Sequence, residues 1–107
     1  MTPADIFKEM PASLNADAAK GMNSTIQFNL SGDTGGQWYV TIKDGKADVS
    51  QGTASSPNMT LSMSAQDYVD MTMGKLNGQM AFMRGKLKIS GDMGLAMKMQ
   101  SLFKRPA

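Results

Sequence analysis

The stretch Gly85-Lys86-Leu87-Lys88-Ile89-Ser90-Gly91-Asp92, running directly into Met93-Gly94-Leu95-Ala96-Met97-Lys98-Met99-Gln100-Ser101-Leu102-Phe103, decides the fold. Its first half alternates. Leu87 and Ile89 fall on one side, Lys86, Lys88 and Ser90 on the other, which is the period of a half-buried strand. Gly91 breaks that period, and Asp92 has the short carboxylate of a helix N-cap. In the helix that follows, at roughly 100° per residue, Met93, Ala96, Met97 and Gln100 share one face. Leu95, Met99, Leu102 and Phe103 share another, leaving Gly94, Lys98 and Ser101 as a narrow polar strip. A helix that covers a sheet needs one apolar stripe. This one has apolar surface to spare.

Working outward from that segment, the period changes several times. Thr2 can cap a helix with Pro3 at its first position. Ile6, Phe7, Met10 and Leu14 give that helix its stripe, Pro11 is expected to end or kink it, and residues 12–20 read as a second short helix stopped by Gly21. Ile26, Phe28 and Leu30 then alternate with Thr25, Gln27 and Asn29. Residues 31–36, with three glycines, form a turn. Trp38, Val40 and Ile42 alternate with Gln37, Tyr39, Thr41 and Lys43. Asp44-Gly45 is a tight hairpin signal, after which Ala47 and Val49 make a short strand. Residues 51–57 are loop, and Met59, Leu61 and Met63 alternate again. The simplest reading of these four strands is a meander covered on one side. Ser64 with Asp67 opens a helix stopped by Gly74, and Asn77 caps another through Met83, ended by Gly85. The order α-α-β-β-β-β-α-α-β-α predicts an α+β fold: a mainly antiparallel sheet with helices on one face. At 107 residues the chain is expected to form one domain, residues 1–107.

Composition narrows the chemistry. The chain has no cysteine and no histidine, which removes the thiolate nucleophile, the commonest general base and the commonest metal ligand together. The carboxylates Asp33, Asp44, Asp67 and Asp92 sit singly at turns or helix starts, where capping explains them. No activating base stands beside any Ser or Thr. An enzyme is therefore not expected, and no cofactor or metal is called for. Nor is there a P-loop, a dinucleotide fingerprint, a secretory leader or a membrane-length apolar run. A cytoplasmic location is expected.

Methionine is the biased residue: twelve in all, nine of them from Met59 onward. Any single Met is an ordinary core filler, but a set of them suits varied apolar partners because the thioether side chain repacks easily. Together with the over-apolar last helix, this favours a cavity for a long apolar ligand. Burying about 400 Å² of such a ligand gains on the order of 10 kcal/mol before ordering costs. Copper(I) ligation by Met71-x-Met73, Met80-x-x-Met83 or Met97-x-Met99 is the weaker reading, since residues two apart on a helix face different ways. Charge is uneven as well. Residues 1–73 carry four Lys/Arg and eight Asp/Glu, and residues 74–107 carry seven and one. Lys75, Arg84, Lys86, Lys88, Lys98, Lys104 and Arg105 form a basic set. Its bland role is a solvated surface, with Lys86 and Lys88 guarding an edge strand. Its functional role is transient contact with anionic lipid headgroups or an acyl-CoA phosphate. Nucleic acid is not an expected partner, because aromatics are few and Phe82 and Phe103 read as buried.

The segment from Gly85 to Lys98 resembles the C-terminal signature of sterol carrier protein 2 domains. Trp38-Tyr39-Val40-Thr41-Ile42-Lys43-Asp44-Gly45-Lys46 resembles that family's central hairpin. Met71-Thr72-Met73-Gly74-Lys75-Leu76-Asn77, followed by Ala81-Phe82, resembles its middle helices. The resemblance implies a five-stranded sheet covered by helices, with an apolar tunnel between them. It implies non-catalytic binding of fatty acids, fatty acyl-CoA, phospholipids or sterols, with the last helix helping to close the tunnel. On that basis Met71, Met73, Leu76, Met80, Met83, Leu87, Ile89, Met93, Met97, Leu102 and Phe103 are the expected lipid-binding residues. Without a peroxisomal ending or a catalytic domain, the chain looks like a free-standing bacterial version in which acyl chains are favoured over sterols. The competing reading is an interaction module whose apolar C-terminal helix meets a partner enzyme or a second copy.

Overall fold

A computed structural model describes residues 2–32, 35–95 and 98. Within them the elements are α1 (Pro3–Ser13), α2 (Ala16–Ala19), β1 (Asn23–Ser31), β2 (Gly36–Lys43), β3 (Lys46–Gln51), β4 (Met59–Ser64), α3 (Ala65–Thr72), α4 (Gly78–Met83) and β5 (Lys88–Gly91). The five strands form one sheet in the order β3-β2-β1-β4-β5. The β1–β2, β2–β3 and β4–β5 pairs are antiparallel. The β1–β4 pair is parallel, with Ile26 opposite Met59 and Leu30 opposite Met63. The fold is α+β with a mixed, mainly antiparallel sheet.

The parallel pair corrects the meander. A meander would place β4 beside β3, but the chain leaves β3 and returns to the far side of β1. The crossover, residues 52–58, is held by β1 itself. Gln27 Nε2 donates to the Gly52 carbonyl (3.1 Å), Gln27 Oε1 accepts from the Ala54 N–H (2.7 Å), and Asn58 Oδ1 accepts from the Thr25 N–H (2.8 Å). Gln27 therefore ends 2% exposed, although alternation places it on the open face of β1. Each of its buried amide atoms has a partner, which removes the penalty of burying it.

Ile26, Phe28 and Leu30 of β1, Val40 and Ile42 of β2, and Met59, Leu61 and Met63 of β4 form the buried face. There, α1 lies against β3 and α3, and α3 lies against β4 and β1. Phe7 is the keystone of that layer. Its ring stacks on Trp38 (4.9 Å) and on Tyr68 (5.4 Å) and meets Phe28 in a T-shaped contact (5.1 Å). Such aromatic pairs add to simple area burial.

Local signals in the sequence are largely obeyed. Thr2 and Asp5 form a reciprocal capping box, in which the Thr2 backbone N–H and hydroxyl both donate to Asp5 Oδ2 (3.0 Å each). Those two hydrogen bonds, the backbone one first, hold the Asp5 carboxyl below its ordinary pKa. Asp44 and Gly45 both adopt positive φ (55° and 74°), so the β2–β3 hairpin closes with the two-residue turn that its Asp-Gly pair favours. Helix α1, however, does not stop at Pro11. It runs to Ser13, because a proline in the last turn removes one intrahelical hydrogen bond rather than a whole ladder. The second helix is correspondingly reduced to Ala16–Ala19.

Candidate functional site

The expected site residues begin on α3 and run to Phe103. Ser64 Oγ accepts from the Asp67 N–H (3.1 Å) and starts α3, which turns Ala65, Tyr68 and Val69 into the core. Burial raises the Tyr68 hydroxyl above the ordinary phenol pKa. The helix ends where the Met73 N–H reaches the Val69 carbonyl and Gly74 takes positive φ (79°). Lys75 and Leu76 then both donate to the Asp70 carbonyl (2.8 and 3.1 Å), folding the chain back. Asn77 Oδ1 caps α4 through the Met80 N–H (3.3 Å). After α4, Lys86 and Leu87 both donate to the Ala81 carbonyl (2.9 and 3.1 Å). That second turn consumes residues which alternation assigns to the strand, so β5 begins only at Lys88.

Gly91 closes β5 because no other residue fits. Its φ is +100°, and a Cβ there would stand 2.5 Å from the Asn58 carbonyl oxygen. Beyond it Asp92 Oδ1 accepts from the Leu95 N–H (3.2 Å), the cap that the sequence predicts, and Leu95 is buried. β5 is an edge strand, and Lys88 on it is exposed, as an edge guard would be.

The structure sorts the expected lipid-binding residues into two groups. Leu87 is buried in the core, and Met71, Leu76 and Ile89 are partly buried against it. Met73, Met80, Met83 and Met93 are exposed, Met83 by 79%. Met97, Leu102 and Phe103 lie outside the described residues, as does most of the segment for which the sequence predicts a last helix. Phe82, read as buried from the sequence, is 44% exposed, because Ala81 is the α4 side chain that turns inward. Leu95 and Tyr68, which the sequence places on apolar helix faces but outside the expected lipid-binding set, are buried beside this region.

An open cleft of about 480 Å³ between α1 and the β2–β3 edge is lined by Ala4, Phe7, Lys8, Trp38, Ala47, Asp48 and Val49. It shares no residue with the expected site. With Lys8 and Asp48 in its walls, it is a poor seat for an acyl chain. Among the described residues no cluster of His, Cys, Asp or Glu could hold a metal ion, and no helix is long and apolar enough to cross a membrane.

The described residues thus form an α+β layer with an apolar inner surface. The model of the SCP-2 sterol transfer family matches residues 5–104, and the chain belongs to that family. It is 40% identical over 99 residues to hydroxysteroid dehydrogenase-like protein 2 of Xenopus tropicalis, covering 92% of this chain and 24% of that protein. The chain thus spans about a quarter of the length of the curated relatives it matches. Among solved structures it resembles the sterol carrier protein domain 2 of Helicoverpa armigera (TM-score 0.72, 34% identity, 92% of this chain and 87% of that one). It also resembles palmitated SCP2L2 from Aedes aegypti (TM-score 0.72, 28% identity, 92% and 91%).

Proposed function

We propose that residues 1–107 act as one non-catalytic lipid-binding domain, holding an apolar chain between the inner sheet face and the helices. The observation that carries this reading is the apolar layer from α3 to β5. Met71, Leu76, Leu87 and Ile89 adjoin the core there, and Met73, Met80, Met83 and Met93 stand outside them. The first group would line a tunnel and the second its mouth. Met97, Leu102 and Phe103 would close it from the last helix. Fatty acids and fatty acyl-CoA are the favoured ligands, ahead of phospholipids and sterols. The palmitate named for the Aedes protein supports an acyl chain. A cytoplasmic carrier fits the reading, with no cofactor.

Uptake of a fluorescent fatty acid tests it. The full chain should bind the probe and release it to palmitate, and a folded chain truncated after Gly91 should lose that binding. Equal affinity in the truncated chain would remove the closing role of the last helix. A second reading is favoured by the relatives' names: the chain is an interaction module that meets a partner enzyme. A stable complex or oligomer by sedimentation, without lipid uptake, would put that interaction role first.

A further inference from the structure

We propose that α4 and its two flanking turns are the surface by which the chain docks on an anionic phospholipid bilayer. The proposal rests on the carrier reading only in that a carrier needs somewhere to meet a bilayer. Helix α4 is inverted. A surface helix turns its apolar stripe inward, but here the inward side chain is the small Ala81, fully buried. At about 100° per residue, Met83 stands nearly opposite Ala81, and Met80 and Phe82 flank it. These three are 79%, 48% and 44% exposed respectively, so among the described side chains of α4 the outward ones are apolar. Met73, at the end of α3 just before the turn into α4, is half-exposed too.

Between Met71 and Gly91 every charged residue is basic: Lys75, Arg84, Lys86 and Lys88. All four cations are exposed. Lys75 lies in the turn leading into α4, and Arg84 and Lys86 lie in the turn leading out, where backbone hydrogen bonds to the Asp70, Met80 and Ala81 carbonyls fix both turns. Apolar side chains ringed by long basic ones match the acyl–headgroup boundary, where the former insert and the latter meet phosphate. A second copy on this face would set Lys75, Arg84 and Lys86 against their own counterparts, which the charge disfavours. The described side chains of α1 offer no equivalent. Its Ile6 and Phe7 are already buried, and Asp5 and Glu9 accompany Lys8 on its exposed side.

Co-sedimentation of the full chain with vesicles tests the surface. The chain should bind vesicles of equimolar phosphatidylcholine and phosphatidylglycerol, bind phosphatidylcholine alone weakly, and come off as salt rises. Phe82→Ser, and separately Arg84→Glu with Lys86→Glu, should each weaken partitioning about tenfold or more while leaving the thermal transition in place. Lys8→Glu should leave partitioning unchanged. Wild-type partitioning in both α4 variants would overturn the proposal. So would a wild-type chain that ignores the mixed vesicles, or a dimer that Phe82→Ser dissociates. Fatty-acid uptake without vesicles separates the two ideas. A chain that docks but takes up no probe refutes the carrier reading alone, and one that takes up probe but never docks refutes the docking surface alone.

Discussion

Single residues in this domain carry more than their type suggests. Tyr68 is 2% exposed, stacked on Phe7 with its ring also meeting Phe28. Burial opposes its phenolate, so its pKa lies above that of an unfolded tyrosine. The sign follows from linkage. Below about pH 10 both states hold the proton and the residue contributes its full stability. Above that, the unfolded chain loses the proton first, and stability falls as pH rises. Alkaline unfolding followed by circular dichroism should therefore move to higher pH in Tyr68→Phe. An unchanged alkaline midpoint would show that the hydroxyl is free to ionise in place. Gly91 illustrates a different kind of legibility. Its glycine is visible in the sequence as a break in alternation, but the cause, a carbonyl of Asn58 where a Cβ would stand, comes from the crossover that leads into β4.

At the scale of elements, what the sequence discloses is what neighbouring residues decide. The caps at Thr2, Ser64, Asn77 and Asp92 and the Asp44-Gly45 turn are fixed within a few residues, and each forms as its residues suggest. Strand order is decided by partners far apart in sequence, and alternation is silent about them. The same alternating Met59, Leu61 and Met63 would suit either side of the sheet. What selects the parallel position beside β1 is the crossover of residues 52–58, anchored by a glutamine that looks like an ordinary surface residue. Gln27→Leu would fill the site but leave the Ala54 N–H and Gly52 carbonyl without their partner. It should cost about 1–3 kcal/mol in denaturant unfolding. Stability equal to wild type would mean that the crossover holds through Asn58 and Thr25 alone. The inverted α4 was equally hidden. A run of Met80, Ala81, Phe82 and Met83 reads as buried in any window, and only the fold shows that the alanine takes the inside.

For the molecule as a whole, the sheet and its helical cover were legible because composition and period agree over most of the chain. The candidate site was legible only in part. Leu87, Ile89, Met71 and Leu76 lie in or against the core, whereas Met73, Met80, Met83 and Met93 stand exposed, Met80 and Met83 because α4 turns Ala81 inward in their place. On the proposed carrier reading, hydrocarbon held between these two groups of side chains would gain free energy by leaving water. The most direct test is native mass spectrometry of the gently purified protein, followed by organic extraction and lipid analysis. The account predicts a co-purified species near one per chain whose extract contains a fatty acid, acyl-CoA or phospholipid. An empty chain that also takes up no added fatty acid would contradict it.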